Sequence, residues 1–236
     1  MKGKEKNMFA SVCLNGKSME ERAKFYTDFM DYFIEKYPEF FHYTMKCFEY
    51  NENNYDVYYE ALQYLEDNDM SYAKGETKGC LINDKDDEYV LKWSLSVDNY
   101  CQIEYEKYQL AVKYHTDEYF AKIIPIGKVR GLDLFLMEKC NVDEDLVYSY
   151  SGSCSDNTSS SSEECWSYDD PIELTGKCLC SFWGSDKYYK FTNFCFRFDI
   201  NDIHSANIGF DGVYMPKVID YSGYNGCHYG PMNLEF

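Results

Sequence analysis

Residues 71–140 constrain this chain most, because strand-like and helical stretches follow one another there with only turns between them. "SYAKGETKGCLIND" reads as a strand, a Gly-containing turn and a second strand, and "DDEYVLKWSLS" as a third. "DNYCQIEYEKYQLAVKYH" is helical, with Ile103, Leu110 and Ala111 on one side. "YFAKIIPIGKVRGLDLFLMEKC" gives two more strands around a turn at Gly131. The order is strand, strand, strand, helix, strand, strand, which makes this an α+β chain.

The flanks differ in texture. Ser18 followed by Glu21 is a capping-box signature, and Phe25, Phe29, Met30, Phe33, Ile34 and Tyr37 then form one apolar stripe up to Pro38. A second helical pattern runs from Tyr55 to Leu65. Residues 1–70 are therefore read as a helical N-terminal extension whose stripe is a packing face. Residues 141–170 are read as a disordered Ser-rich insertion, centred on "SYSGSCSDNTSSSSEE", which has too little apolar surface to offset the entropy of ordering. Residues 171–236 carry a partly helical stretch and then "NDIHSANIGFDGVYMPKVIDYSG".

A net charge of −18 argues against a nucleic-acid partner, because phosphate backbones demand Lys and Arg. It does not argue against one nucleotide, which needs only a local Lys and a cation. No apolar run approaches a bilayer-spanning length, and the basic start has no apolar h-region. With 11 cysteines expected to stay reduced, the reading is a cytoplasmic protein without a membrane partner.

Within that frame one chemistry has all its parts. Phosphoryl transfer from ATP needs a carboxylate for the acceptor hydroxyl, oxygen ligands for Mg²⁺, and a Lys on the phosphates aimed by a second acid. Asp202 and Asn207 have the D-x-x-x-x-N spacing of a catalytic loop. "IGFDGVYMPKVI" reads as a hairpin with Asp211-Gly212 at its tip, so Asn207 and Asp220 should meet at its base. Lys92 lies on a strand and Glu104 on the next helix, with Glu106 as the rival acid. His204 reads as a loop-stabilising hydrogen-bonder.

These segments resemble the protein-kinase-like superfamily, which includes protein kinases and aminoglycoside- or choline-type small-molecule kinases. "EYVLKWS" is similar to the strand of the V-A-I-K lysine, and "IEYEKY" to the helix of its glutamate partner. "LFLMEKC" resembles the strand entering the interlobe hinge, "NDIHSANI" the catalytic loop and "VIDYSG" the D-F-G segment. The D-x-H-x-x-N form is also similar to short kinase-like proteins of bacteriophages. The resemblance covers residues 71–140 and 190–223. It implies a β-rich small lobe with its helix C over 71–140, and a minimal large lobe over 171–236.

The implied roles are Asp202 as catalytic base, Asn207 and Asp220 as Mg²⁺ ligands, and Lys92 on phosphate with Glu104 as its partner. Gly75 and Gly79 would belong to the phosphate loop, and Glu138 and Cys140 to the adenine edge. ATP and Mg²⁺ are the implied cofactors, and a protein Ser/Thr the implied acceptor, with a viral protein in the host cytoplasm one setting. The chain departs from the pattern at Asn201 and Ile200, where protein kinases carry Arg and His. It departs also in a degraded glycine loop and in lacking an A-P-E segment. Those departures keep two alternatives: an inactive pseudokinase that binds nucleotide or a partner protein, and a small-molecule phosphotransferase.

Overall fold

The first helix begins where the sequence says it should. Ser18 Oγ accepts from the amide of Glu21 at 3.2 Å, and the Glu21 carboxylate accepts from the amide of Ser18 at 2.9 Å, closing the capping box. Helix α1, Met19–Lys36, ends one residue before Tyr37-Pro38. It buries Arg22, Phe25, Tyr26, Phe29, Met30, Phe33 and Ile34, the i, i+3, i+4 set of a single face.

The computed structural model describes residues 9, 12–38, 40, 52–75, 77–96, 98–152 and 171–223. The chain divides into two compact units. One comprises Met1–Tyr105, Ile123–Lys139 and Gly226–Phe236; the other comprises Glu106–Lys122 and Cys140–Asn225.

The first unit holds α1, helix α2 (Glu52–Glu66) and five strands: β1 Met70–Lys74, β2 Lys78–Asn83, β3 Tyr89–Ser94, β4 Ile123–Val129 and β5 Leu132–Glu138. Helix α3, Tyr100–Lys113, starts in this unit and runs on into the second. The strands form one antiparallel sheet in the order β1-β2-β3-β5-β4. Strand side chains alternate between faces. Leu81, Leu91 and Trp93 project into a core with Phe29, Phe33 and Ile34 of α1 and Ala61 and Leu65 of α2. Aromatic rings dominate it: Phe29 and Phe33 stack at 5.7 Å, and Tyr72 stacks on Trp93 at 5.7 Å. The helical segment expected as an extension therefore shares its core with the sheet.

A buried ion pair fixes α1 to the sheet. The Arg22 guanidinium donates to Asp86, in the β2–β3 turn, and both side chains are all but fully buried. Asp86 Oδ1 also accepts from the amides of Glu88 and Tyr89, each at 3.1 Å, and Oδ2 from the Tyr26 hydroxyl at 3.1 Å. Burial, with the Asp86 charge alongside, holds the Tyr26 phenol far above its ordinary pKa.

The second unit holds the rest of α3, β6 (Asn141–Val142), α4 (Glu144–Gly152), α5 (Pro171–Trp183), α6 (Ser185–Arg197), β7 (Ile208–Phe210) and β8 (Pro216–Val218). Its three strands pair antiparallel in the order β6-β7-β8. Its core is again aromatic, with Phe120 5.7 Å from Phe191 and 5.0 Å from Tyr221.

Two expectations change here. Disorder was expected from residue 141, but residues 141–152 form β6 and α4. Val142 is paired to Gly209, Val147 is fully buried, and the Asp143 carboxylate caps the amide of Leu146 at 2.9 Å. Residues 153–170, with most of the Ser-rich run, lie outside the described residues. The β7–β8 connection is also longer than an Asp211-Gly212 tip. It spans 211–215, because the Asp211 carboxylate accepts from the amides of Val213 and Met215 at 3.0 and 2.9 Å. Among the described residues no helix is long and apolar enough to cross a membrane.

Arg22→Met leaves the Asp86 carboxylate buried beside fewer donors. Chemical denaturation should show a loss of about 3–5 kcal/mol, the range for breaking a buried pair from one side. A loss within experimental error would show that the pair does not anchor α1.

Candidate functional site

The sheet face opposite the aromatic core carries charge. In the β2–β3 register Cys80 lies across from Lys92 and Lys78 from Ser94, so Lys78, Cys80 and Lys92 share one face. Helix α3 presents Tyr100, Cys101 and Glu104, all buried, at the i, i+1, i+4 spacing of one helix face. Glu104 is fully buried, and two lysines meet it. Lys92 Nζ lies 2.9 Å from Glu104 Oε2 and donates to Oε1 at 3.1 Å. The Oε2 contact is an ion pair without hydrogen-bond alignment. Lys78 Nζ donates to Oε1 at 3.0 Å. Both lysines are themselves buried, at 7% and 5% exposed, which is tolerable only because a carboxylate lies against them. Glu106, the rival acid, is exposed.

Lys78 was not singled out in the sequence. A lysine on a strand reads as solvated unless its register is known, and only the pairing with β3 puts it on the Lys92 face. Cys80 lies between them. It is half-buried by area, but desolvation of its sulfur pushes the thiol up to about 11 against the pull of Lys92, so it stays protonated at neutral pH.

The other nominated residues of this unit serve the sheet. Gly75 closes the β1–β2 turn, its amide donating to the carbonyl of Lys78 at 3.0 Å. Gly79 is where Trp93 crosses β2: a Cβ there would fall 2.6 Å from Trp93 Cε2. Glu138 ends β5 opposite Tyr89. Cys140 belongs to the second unit, where it leads into β6.

In the second unit, the loop from Asp199 to Asn207 is held by alternate burial. Ile200, Ile203 and Ser205 are buried, while Asn201 is exposed and Asp202 and His204 are half-exposed. Ser205 is anchored by α4, donating to Glu144 at 2.8 Å and lying 3.0 Å from the Tyr148 hydroxyl. Asn207 closes the loop by donating from Nδ2 to the carbonyl of Asp202 at 2.8 Å. The carbonyl of Asn207 accepts from the amide of Ile219 at 2.9 Å, so the β7–β8 hairpin returns the chain to Asn207 one residue before Asp220. Tyr221, buried just beyond, donates to the carbonyl of Ala121 at 2.7 Å. Asp202, Asn207 and the Asp220 segment are thus gathered by backbone and amide bonds within one unit.

The Asn207 amide nitrogen is spent on the loop, and its Oδ1 has no hydrogen-bond partner among the described residues. The Asp220 carboxylate is half-exposed and accepts from Ser222 Oγ at 3.4 Å. Two hard oxygens are what Mg²⁺ takes when it keeps waters and substrate phosphates as its other ligands, so the donor set fits that ion. No cluster of three or more His, Cys, Asp or Glu side chains suited to a metal occurs among the described residues. His204 Nε2 stands 3.8 Å from Asp202 Oδ1, beyond hydrogen-bond distance, with both side chains well exposed.

Gly79→Ala separates the two readings of that glycine. The Trp93 contact requires a stability loss of about 1–3 kcal/mol by thermal or chemical denaturation, as for other overpacked cores. Gly75→Ala, with nothing within 4 Å of the added carbon, should leave stability near wild type. Equal stability of the two variants would remove the packing explanation.

No protein-family model, no curated protein and no solved structure matches this chain, so the two constellations rest on their own geometry.

Proposed function

We propose that this protein is a protein-kinase-like phosphotransferase that moves the γ-phosphoryl group of ATP to a Ser or Thr hydroxyl of a protein. The observation that carries the reading is the closed Asp202–Asn207 loop, with the hairpin bringing the chain back to Asp220. It supplies a base and two hard-oxygen ligands from a spacing already suited to that chemistry. The buried Lys92–Glu104 pair is the second support, since a cation aimed by a carboxylate is what the α- and β-phosphates require.

The roles follow from the chemistry. Asp202, half-exposed, takes the proton of the acceptor hydroxyl as its oxygen attacks the γ-phosphorus and the bond to the β-bridging oxygen breaks. ADP leaves, carrying that oxygen's electron pair. Asn207 Oδ1 and the Asp220 carboxylate would hold Mg²⁺, which would supply charge neutralisation for the phosphates. Lys92 steadies the phosphates, and Glu104 keeps its ammonium in place. Lys78, on the same carboxylate, adds a second cation to that face. The variants below test each set on its own.

A second reading is a nucleotide-binding protein without turnover. Asn201 favours it: the residue before Asp202 is an exposed amide, donating to Asp199 Oδ1 at 3.3 Å, where protein kinases carry an arginine.

Incubation with γ-labelled ATP, Mg²⁺ and a cell lysate distinguishes the two. Transfer should fall about 10²–10⁴-fold in Asp202→Ala, the usual weight of a general base. Glu104→Gln and Asp220→Asn should each weaken Mg²⁺–ATP binding, read as a smaller ATP-induced thermal shift. Transfer undiminished in Asp202→Ala would remove the base assignment. An ATP shift without transfer would establish the second reading, and neither signal would remove both.

A further inference from the structure

One part-buried side-chain contact in the second unit joins the two ends of the candidate loop. Lys107 lies on α3, and its Nζ donates to the carbonyl of Asp199 at 2.8 Å and to the carbonyl of Ser222 at 2.7 Å. Neither carbonyl belongs to a helix or strand, so the ammonium satisfies acceptors that regular structure leaves open. Charge-assisted bonds of this length are the stronger kind.

The backbone around the contact is shaped for it. Asp199 has φ +52°, and Gly223 φ +79°, both in the left-handed region. A Cβ at residue 223 would fall 2.7 Å from the Asp199 carbonyl oxygen and 3.1 Å from Lys107 Nζ. The two segments approach so closely at the ammonium that only glycine fits there.

Asp202 follows one anchored carbonyl by three residues, and Asp220 precedes the other by two. Between those anchors the chain makes the Asn207 closure and the β7–β8 hairpin. The same ammonium therefore fixes both ends of the segment that carries the base and both metal ligands.

We propose that Lys107 is a positioning residue: one cation sets Asp202 and Asp220 together, so that its loss displaces both. The catalytic part of this rests on the phosphotransfer reading; the clamp itself does not.

Hydrogen exchange on the full chain reads the clamp directly. In Lys107→Met, amides of 199–202 and 220–223 should exchange about tenfold faster or more, while α6 keeps wild-type protection, as in local rather than global opening. Lys107→Arg, which can still reach both carbonyls, should restore protection. Wild-type exchange in either segment of Lys107→Met overturns the clamp. Should that variant also lose protection in α6, Gly223→Ala decides, since it pushes the segments apart with the ammonium in place. Faster exchange confined to the two segments supports the clamp, and unchanged exchange overturns it.

Where wild type transfers phosphate, Lys107→Met should lower kcat about 10²-fold, the scale of an ångström-sized misplacement, with the KM for ATP little changed. Lys107→Arg should recover most of it. A fall in KM-dependent binding without a fall in kcat overturns the positioning role. Wild type that neither transfers phosphate nor binds Mg²⁺–ATP removes the phosphotransfer reading, and the exchange result still decides the clamp.

Discussion

A carboxylate with no exposed surface, Glu104, sets the terms for the first unit. An ionised group in that position is tolerable only with cations against it, and Lys92 and Lys78 supply them from adjacent strands. The requirement propagates. The lysines must share a sheet face, which fixes the β2–β3 register, and a one-residue slip would send one of them into the aromatic core. The opposite face is then committed to Leu81, Leu91 and Trp93, and α1 must cover it.

Charge is used in the same way at the other edge of that core. Arg22 and Asp86 form a buried pair whose remaining acceptor capacity is filled by two amides and the Tyr26 hydroxyl. Exposed pairs such as Lys24–Asp28 differ in kind, since solvent screens them and each contributes a few tenths of a kcal/mol. The net charge of −18 therefore says little about what holds the fold, which depends on a few buried charges with compensating partners.

The second unit solves a different problem, holding polar residues in irregular backbone. Apolar anchors at Ile200, Ile203 and Tyr221 fix the path, while side chains satisfy the backbone: Asn207 for Asp202, and Lys107 for Asp199 and Ser222. Asp202 and Asp220 stay half-exposed, while Asn207 is buried.

Local signals were legible in the sequence wherever the physics is local. The capping box at Ser18 and Glu21, the α1 stripe, the strand order from β1 to β5 and the Asp202–Asn207 spacing all depend on residues a few positions apart. Glu104 was named with Glu106 as its rival; the fold decides between them, because Glu104 lies with Tyr100 and Cys101 on the buried face of α3 while Glu106 is exposed. Lys78 and Lys107 were invisible, since a lysine's partners here are 26, 92 and 115 residues away and nothing local marks them. The packing constraint on Gly79 was not legible, because the Trp93 ring that crosses it comes from the neighbouring strand. The sequence by itself determined which segments are helix and strand and which residue types were on offer. Tertiary structure alone decided which charges are buried together, because burial and register arise only when distant segments meet.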